Sequence, residues 1–358
     1  METRLPFDPR QRGGVNYKGE KNLKQEQLVD SYGRLIDYLR ISLTDLCNFR
    51  CVYCAPVEGT SPLPPLECLT RDEILRFVQI AGRMGIRRIR LTGGEPLLRK
   101  DIVDIVRALK SVKSIKDLSL TTNGSRLKSF LKPLKDAGLD RFNISLDSVN
   151  ALRFKEITLS DAYKEVMDSV AIALAYGFRV KLNMVVLKGL TQEEIVRFVQ
   201  MAIDHPLEVR FLEFMPLCGT GWRPDLVIPI KTVRAIVNEN FTLSKLPREG
   251  NVAESFSISN GQGRVGFIAS LTRSFCDQCS RIRLSADGMI RPCLFSDQAV
   301  SVKTLLREGA SDDAIANEIR EAVGMKPRGN FFHEEPFCDG GTNVDQHQQT
   351  PLIRFIGG

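Results

Sequence analysis

The 358-residue sequence predicts an α/β fold: an incomplete barrel of six β/α units with a C-terminal α+β extension closing its open side. Three observations predict it. Short apolar segments alternate with longer amphipathic ones between residues 38 and 215, the pattern of parallel βαβ units. Each unit follows the last without a visible reversal of the chain. Polar or special residues stand where most of the short segments end: Thr44-Asp45, Gly93-Gly94-Glu95, Thr122-Asn123, Ser145-Leu146-Asp147 and Met215. A barrel places its chemistry at those strand ends. Six units make it a TIM-type barrel left open on one side, and an open side admits a large substrate.

The first strand is expected over 38–44 and the first helix over 70–84, where Thr70 is the N-cap and Glu73 completes a capping box. Strands over 88–92, 118–122, 141–146 and 179–187 alternate with helices over 101–110, 125–137, 163–176 and 192–203. Gly177 ends the helix before the fifth strand, and 208–215 is the sixth strand. The rhythm breaks after Pro216, where Gly219, Gly221, Pro224 and Pro229 mark a boundary. A helix over 232–240, strands over 255–259 and 264–269, and helices over 302–307 and 313–323 follow. The expected division is a polar leader (1–30), the barrel (31–217), a C-terminal domain carrying a second cysteine group (218–345) and a tail (346–358) ending in Gly357-Gly358.

Composition narrows the function. Hydrophobic residues make up 43%, enough for a core, which excludes a disordered chain. Lys and Arg number 50 against 43 Asp and Glu, a net charge of +7. That excess suits an anionic ligand better than a polyelectrolyte. The first 34 residues mix acidic and basic side chains without an apolar stretch, so neither a signal peptide nor a transit peptide is expected. No apolar run reaches the roughly 18 residues of a membrane span. A soluble, cytoplasmic protein with reduced thiols is expected. Clustered cysteines in that setting point to metal or redox chemistry.

Cys47, Cys51 and Cys54 form C-x3-C-x2-C just after the first strand. Three thiolates can bind three irons of a four-iron cluster and leave the fourth iron open, the mark of a catalytic site. Structural zinc with Cys68 as fourth ligand is the alternative; otherwise Cys68 is a small core residue. Cys276, Cys279 and Cys293 form C-x2-C-x13-C. Alone, this group divides between iron–sulfur and a zinc ribbon completed by Cys338. The histidines, His205, His333 and His347, stand far from both groups in sequence. Two residues beyond Cys279, strand alternation puts Arg281 and Arg283 on one face and Ile282 on the other. Two basic residues alone would fit a solvated strand face. Beside a metal ligand, their guanidinium forks match phosphate or carboxylate oxygens. Arg40 alternates with Leu39 and Ile41, Arg90 sits in the second strand and Lys181 in the fifth. These cations are expected to converge on the barrel mouth and to suffice for a triphosphate. Cys218 and Cys338 have no assigned role.

The first cysteine group, with Tyr53 before its third cysteine, and Gly93-Gly94-Glu95-Pro96 at the end of the second strand resemble the radical S-adenosylmethionine (SAM) superfamily. On residues alone, glycines allow close backbone approach to a ligand, and a carboxylate suits an amino acid's ammonium group. The resemblance implies that the open iron binds the amino and carboxylate groups of SAM. Reductive cleavage then releases a 5′-deoxyadenosyl radical. It further implies SAM contacts from Gly94, Ser145 and Met215, with Tyr53 supplying backbone.

The layout over residues 31–358 resembles the GTP 3′,8-cyclase family of molybdenum cofactor biosynthesis. The shared features include Leu39-Arg40-Ile41-Ser42, Leu120-Thr121-Thr122-Asn123-Gly124, Ser145-Leu146-Asp147, the second cysteine group with its Arg-x-Arg, and the terminal Gly-Gly. The resemblance implies two [4Fe-4S] clusters and SAM as cofactors, held by Cys47, Cys51, Cys54 and by Cys276, Cys279, Cys293. It implies a GTP site formed by Arg40, Arg90, Thr121, Lys181, Arg281, Ile282 and Arg283, with the first cysteine trio, Arg281 and Arg283 as the catalytic set. The C3′ hydrogen of GTP is abstracted and C3′ joins C8, giving 3′,8-cyclo-7,8-dihydroguanosine triphosphate. The second cluster's open iron contacts the guanine, and the glycine tail enters the barrel. The implied partners are cyclic pyranopterin monophosphate synthase and a flavodoxin- or ferredoxin-type reductant, with a homodimer and neither nucleic acid nor membrane. Two alternatives stay open. A radical SAM peptide maturase would carry more cysteines after the barrel. A zinc-ribbon nucleic-acid binder would stripe its basic residues with aromatics.

Overall fold

A computed structural model describes residues 27–54, 62–217, 220, 222–247, 252–273 and 275–329. Residues 1–26 of the expected leader, Cys218, Cys338 and the glycine tail lie outside the described residues, whereas 27–30 belong to the fold, with Leu28 and Asp30 buried. The chain is an α/β fold around one parallel-dominated sheet. In chain order it forms β1 (Tyr38–Ser42), α1 (Arg71–Arg83), β2 (Arg88–Thr92), α2 (Ile102–Lys110), β3 (Asp117–Thr122), α3 (Leu131–Asp136) and β4 (Arg141–Ser145). Then come α4 (Ala151–Thr158), α5 (Tyr163–Ala175), β5 (Arg179–Val186), α6 (Gln192–Asp204) and β6 (Glu208–Glu213). The remainder forms α7 (Ile230–Asn240), β7 (Leu243–Lys245), β8 (Glu254–Ile258), β9 (Arg264–Ile268), β10 (Arg281–Leu284), β11 (Met289–Arg291), β12 (Val300–Ser301), α8 (Lys303–Arg307) and α9 (Asp312–Gly324).

Six parallel strands were expected, and among the described residues the sheet holds eight. β9 adds parallel to β6 and β10 adds parallel to β1, so the C-terminal part extends both edges of the six-strand array. Antiparallel β11-β12 and β8-β7 finish the two ends. Side chains from β1, β2, β3, β5, β6, β9 and β10 line one cavity, so the sheet curls around it.

Each strand has two unlike faces. Leu39, Ile41, Ile89, Leu91, Phe142, Ile144, Val209, Phe211, Ile282 and Leu284 are buried in the core. On the opposite face the residues in between are Arg40, Arg90, Asn143, Arg210 and Arg283. Strands of a parallel sheet covered on both faces are apolar throughout. Here the polar alternate rows require a solvated or ligand-filled interior.

Local chemistry sets the element ends. Thr70 caps α1: Glu73 N donates to Thr70 Oγ1 at 3.2 Å, and Thr70 N donates to Glu73 Oε2 at 2.7 Å. Ile74, Phe77, Val78 and Ala81 form its buried face. The helix expected over 125–137 is a 3-10 turn at Leu127–Ser129 followed by the short α3. Pro133 lacks an N–H and fits only a first turn, so the α-helix begins just before it. α4 was not anticipated: Asn150 caps it by accepting from Leu152 N and Arg153 N.

Two substitutions test this packing. Thr70→Ala is expected to reduce unfolding free energy by about 1 kcal/mol. Phe142, fully buried with its ring 4.6 Å from that of Phe178, should cost about 3–5 kcal/mol as Phe142→Ala. Denaturant midpoints at unchanged slope measure both.

Candidate active site

The first cysteine group leaves the C-terminal end of β1. Backbone bonds fasten this loop to the end of α4: Arg50 N donates to Thr158 O at 3.1 Å and Val52 N to Ile157 O at 2.9 Å. Tyr53 Oη donates to Asp147 Oδ2 at 2.6 Å, and Val185 N donates to Asp147 Oδ1 at 3.1 Å. Tyr53 is thereby tied to the end of β4 and to β5. Burial pushes the Asp147 carboxyl up to about 6. Burial also pushes the Cys51 thiol well above its ordinary range, and the carboxylate of Asp147 and the thiolates of Cys54 and Cys47 add to the shift. A buried thiol that resists ionisation, with two further cysteines beside it, needs a cationic group to become a thiolate. This donor set therefore fits an iron–sulfur cluster. Among the described residues, no three such side chains stand as a ready site for a metal ion. The thiolates of a four-iron cluster each meet a different iron, so they need not crowd one point.

Gly93, Gly94 and Glu95 serve this loop in a way that differs from the expectation. A Cβ on Gly94 would stand 2.2 Å from Leu46 O, and Gly93, at φ +146°, would bring one 2.3 Å from Thr44 O. The glycines approach the chain just ahead of Cys47. Gly94 N donates to Thr44 O and Glu95 N to Leu46 O, both at 2.7 Å. The Glu95 carboxylate turns inward and accepts from Leu97 N at 3.0 Å, Thr122 Oγ1 at 2.8 Å and Asn123 N at 2.7 Å. Burial holds its pKa up to about 7 against those three donors. It joins the ends of β2 and β3 and does not present a free carboxylate to an ammonium group. Asn123 continues the chain, with Nδ2 donating to Asn48 Oδ1 at 2.9 Å and lying 4.0 Å from Cys47 Sγ.

The second cysteine group lies at the other end of the strands. Cys279 precedes β10, which runs parallel to β1, and Cys293 follows β11, which runs antiparallel to β10. Cys276, Cys279 and Cys293 line the end of the cavity with Phe275, Pro292 and Leu294. Burial raises the Cys279 pKa, but the cations of Arg281 and Lys326 outweigh it and hold the thiol down to about 6. Three cysteines at one cavity end, with Cys279 held toward its thiolate by neighbouring cations, fit a second cluster.

Between the two groups the cavity is cationic. Arg40, Arg90, Arg210, Arg281, Arg283 and Lys326 line it, without a carboxylate among the described lining residues. Burial, and then the charges of Arg283, Arg90 and Arg281, hold the Arg40 pKa well below the usual guanidinium range. Burial lowers Arg90 and Arg283 to about 10. Although burial opposes it, the field of Arg90, Arg40 and Arg141 brings the Tyr38 phenol down to about 7. Arg40 Nε, Arg90 Nε, Arg210 Nη2 and Thr121 Oγ1 are buried without a hydrogen-bond partner among the described residues. They are donors aimed at something the protein does not supply.

The expected residues divide accordingly. Arg40, Arg90, Thr121, Met215, Arg281 and Arg283 meet in the cavity, which is the interior between the strands and not only its mouth. Ile282 points into the core on the opposite face. Lys181 is outside the lining: its Nζ donates to Glu208 Oε2 at 2.6 Å. Ser145 ends β4 opposite Asn183, which does line the cavity. Tyr38, Arg210, Asn183 and Lys326 were not anticipated. Arg210 and Tyr38 carried the same alternation signal as Arg40, whereas Lys326 stands beyond the last helix with no local signal. Cys68 is half-buried and away from the cavity.

Residues 41–202 match the radical SAM superfamily, and residues 207–332 match the family described as Molybdenum Cofactor Synthesis C. The chain is 42% identical over 314 residues to GTP 3′,8-cyclase of Thermodesulfovibrio yellowstonii, covering 86% of this chain and 97% of that one. It is 39% identical to GTP 3′,8-cyclase of Lactiplantibacillus plantarum, covering 93% of this chain and all of that one, 100%. Molybdenum cofactor biosynthesis protein 1 of Mus musculus is 39% identical, and the chain spans 50% of its length. Among solved structures, Streptococcus suis SuiB bound to S-adenosylmethionine superposes with a TM-score of 0.57 at 16% identity, covering 81% of this chain and 69% of that one. That likeness concerns the fold alone.

Glu208 offers a pH test of the charge balance. Burial raises its pKa, but Arg210 and Lys181 outweigh that and hold it down to about 2, from an ordinary 4.5. As pH falls between those values, the unfolded chain takes up the proton first, so the stability Glu208 contributes is present above 4.5 and lost toward 2. Glu208→Gln is expected to flatten this part of the acid-stability profile, measured by denaturant midpoints across pH.

Proposed function

The chain belongs to the GTP 3′,8-cyclase family of the radical SAM superfamily, and from that premise we propose that it binds GTP between its two thiol groups and joins C3′ of the ribose to C8 of the base. The observation that carries the proposal is the cavity lined by six cations, with unpartnered buried donors on Arg40, Arg90, Arg210 and Thr121. A triphosphate supplies the acceptors these groups lack.

The curled sheet is best read as an open barrel whose edges are extended by β9 and β10. Residues 31–217 are taken as that barrel, 218–345 as a C-terminal domain and 346–358 as a tail, and the leader shortens from 1–30 to 1–26 because Leu28 and Asp30 are buried in the fold. Cys47, Cys51 and Cys54 would hold one [4Fe-4S] cluster, with Tyr53, Gly94, Ser145 and Met215 forming the SAM side of the site. Cys276, Cys279 and Cys293 would hold a second cluster. When bound, the first cluster and SAM supply the 5′-deoxyadenosyl radical that removes the C3′ hydrogen of GTP.

The protein's own part is positioning and exclusion. Arg40, Arg90, Arg281 and Arg283 clamp the phosphates, which fixes the ribose relative to the first thiol group. The Tyr53–Asp147 bond holds the first loop against β4 and β5. The apolar outer rows of the sheet and the helices over them keep water from reaching the cavity through its walls. Lys181 could join the phosphate clamp only by leaving Glu208. Among the described residues, no helix is long and apolar enough to cross a membrane. The reading places the enzyme in the cytoplasm with a flavodoxin- or ferredoxin-type reductant and cyclic pyranopterin monophosphate synthase as its successor. It takes the chain as a homodimer.

Anaerobic reconstitution should yield about eight irons per chain, counted as two four-iron clusters. Reduced enzyme with SAM and GTP should form 5′-deoxyadenosine and the cyclised triphosphate, identified by mass spectrometry. Deoxyadenosine forming with a peptide and not with GTP would overturn the reading. Arg283→Ala should keep both clusters and lose cyclised product. Arg90→Ala should raise KM for GTP about 10- to 100-fold, the effect of losing one charge-assisted bond to phosphate. Cys68→Ser should keep full iron content and activity.

A further inference from the structure

The second thiol group is assembled from separate stretches of chain. Cys276 opens a 3-10 turn ahead of β10 and Cys279 follows its end, and Cys293 lies beyond β11. Two buried cations from elsewhere in the chain reach the backbone of those stretches. Arg34 Nη1 donates to Cys276 O at 2.8 Å. Lys326 Nζ donates to Arg281 O, two residues past Cys279, and to Pro292 O, one residue before Cys293, both at 2.8 Å.

The two cations are themselves linked. Arg34 Nη1 also donates to Arg328 O at 2.9 Å, and Nη2 donates to Pro327 O at 2.6 Å. Arg34 Nε donates to Asp30 Oδ2 at 2.5 Å, and Asp30 Oδ1 accepts from Tyr32 N and Arg34 N at 2.9 and 3.0 Å. Asp30, Arg34 and Lys326 are 6%, 8% and 3% exposed. Such a commitment of buried charge to backbone carbonyls is unusual, since both cations lose their hydration. Neither contact belongs to the sheet ladder or to a helix cap. Every acceptor lies within two residues of a cysteine of this group or in the 327–328 segment that joins the two cations, apart from Asp30.

We infer that Asp30, Arg34 and Lys326 form a brace that holds the second cysteine trio in place for its cluster, with Lys326 also setting the charge beside it. The inference rests on the two-cluster reading above. The brace works in two ways. Its hydrogen bonds fix the loops before iron arrives, so less conformational freedom is lost on binding. Its Lys326 ammonium also stands beside Cys279 and Cys293, where it offsets the negative charge of thiolates and of an added electron. These are positioning residues: they touch ligand-bearing backbone and not the reacting atoms.

The test uses full-length Arg34→Lys and Lys326→Met, reconstituted anaerobically beside the wild type. Circular dichroism and thermal melting check that each variant folds. Iron release to a ferrous chelator is followed together with electron paramagnetic resonance of the reduced protein. SAM perturbs the first cluster's signal and so separates the two. Wild type holding only the first cluster would sink the two-cluster reading and this inference with it, before any variant is measured. With both clusters in the wild type, the brace requires that both variants lose iron from the second cluster about 10- to 100-fold faster, with the first cluster's signal and its response to SAM unchanged. Lys326→Met should also lower the midpoint potential of the second cluster, a shift that a purely structural bond would not produce. Iron release at the wild-type rate in both variants, or equal loss from both clusters, would overturn the brace. An unchanged potential in Lys326→Met would overturn the charge role.

Discussion

Six cations facing one cavity, four of them buried and Arg40 and Arg281 half-buried, are the constraint around which the rest of this structure is arranged. Arg40, Arg90, Arg210, Arg281, Arg283 and Lys326 share the lining of that cavity, and beyond the effect of burial the charges of Arg283, Arg90 and Arg281 lower the proton affinity of Arg40, as those of Arg281 and Arg90 lower that of Arg283. Burying like charges together is unfavourable unless something opposite in charge arrives. The protein supplies part of the answer: Glu208 accepts from Arg210 Nε at 2.7 Å and from Lys181. The backbone supplies another part, as in the carbonyls that accept from Lys326. What is left over is a demand for an anion, and the thiol groups at either end answer some of it once ionised. The fold tolerates this arrangement because the outer rows of the same strands are packed into a continuous apolar core.

The same economy governs the first thiol loop. It carries little secondary structure of its own and takes its shape from its neighbours. Gly93 and Gly94 let the end of β2 lie directly against Thr44 and Leu46, and Glu95 ties that end to β3 through Thr122 and Asn123. Tyr53 and Asp147 tie the loop to β4 and β5. Three residues that looked like a ligand-facing motif therefore act first on protein. A motif of glycines and a carboxylate states that backbone comes close and that a carboxylate is needed, but not whose backbone or which donors.

How much could be read from the sequence depended on how local the cause was. The first six strands and the helix capped by Thr70 follow from alternation and capping, and their ends fall within a residue or two of expectation. α4 spans only eight residues, and β7, β11 and β12 span three, three and two. Such strands exist because a partner strand is present, and no local period announces them. The alternation of β10 was legible, but its place as the eighth parallel strand was not: its four residues pair with β1 from more than two hundred residues away. In the site, regular cysteine spacing and the parity of Arg40, Arg281 and Arg283 were legible. Lys326 and Arg34 were not, because their acceptors are tens to hundreds of residues distant. Lys181 was legible as a cation on the inner face but not as one already paired.

Strand length then sets the scale of the chemistry. The first thiol group follows the C-terminal end of β1, and the second precedes β10, whose Arg281 is in register with Tyr38 at the start of β1. A strand of five residues, the length of β1, spans roughly 17 Å. That is the order of separation the sheet imposes between its two ends, and the arginines are spaced along it. A ligand that engages both ends must be extended and must carry its negative charge where Arg40, Arg90 and Arg283 stand. A nucleoside triphosphate meets that requirement, with a base at one end of a ribose and phosphates free to fold back along the cations. A compact anion would leave one thiol group unengaged. A long polyanion would need a through-running groove of cations, whereas here they are enclosed by strands on most sides and bounded at one end by Cys276, Cys279 and Cys293. The two-ended geometry, more than the total charge, is what selects the substrate class.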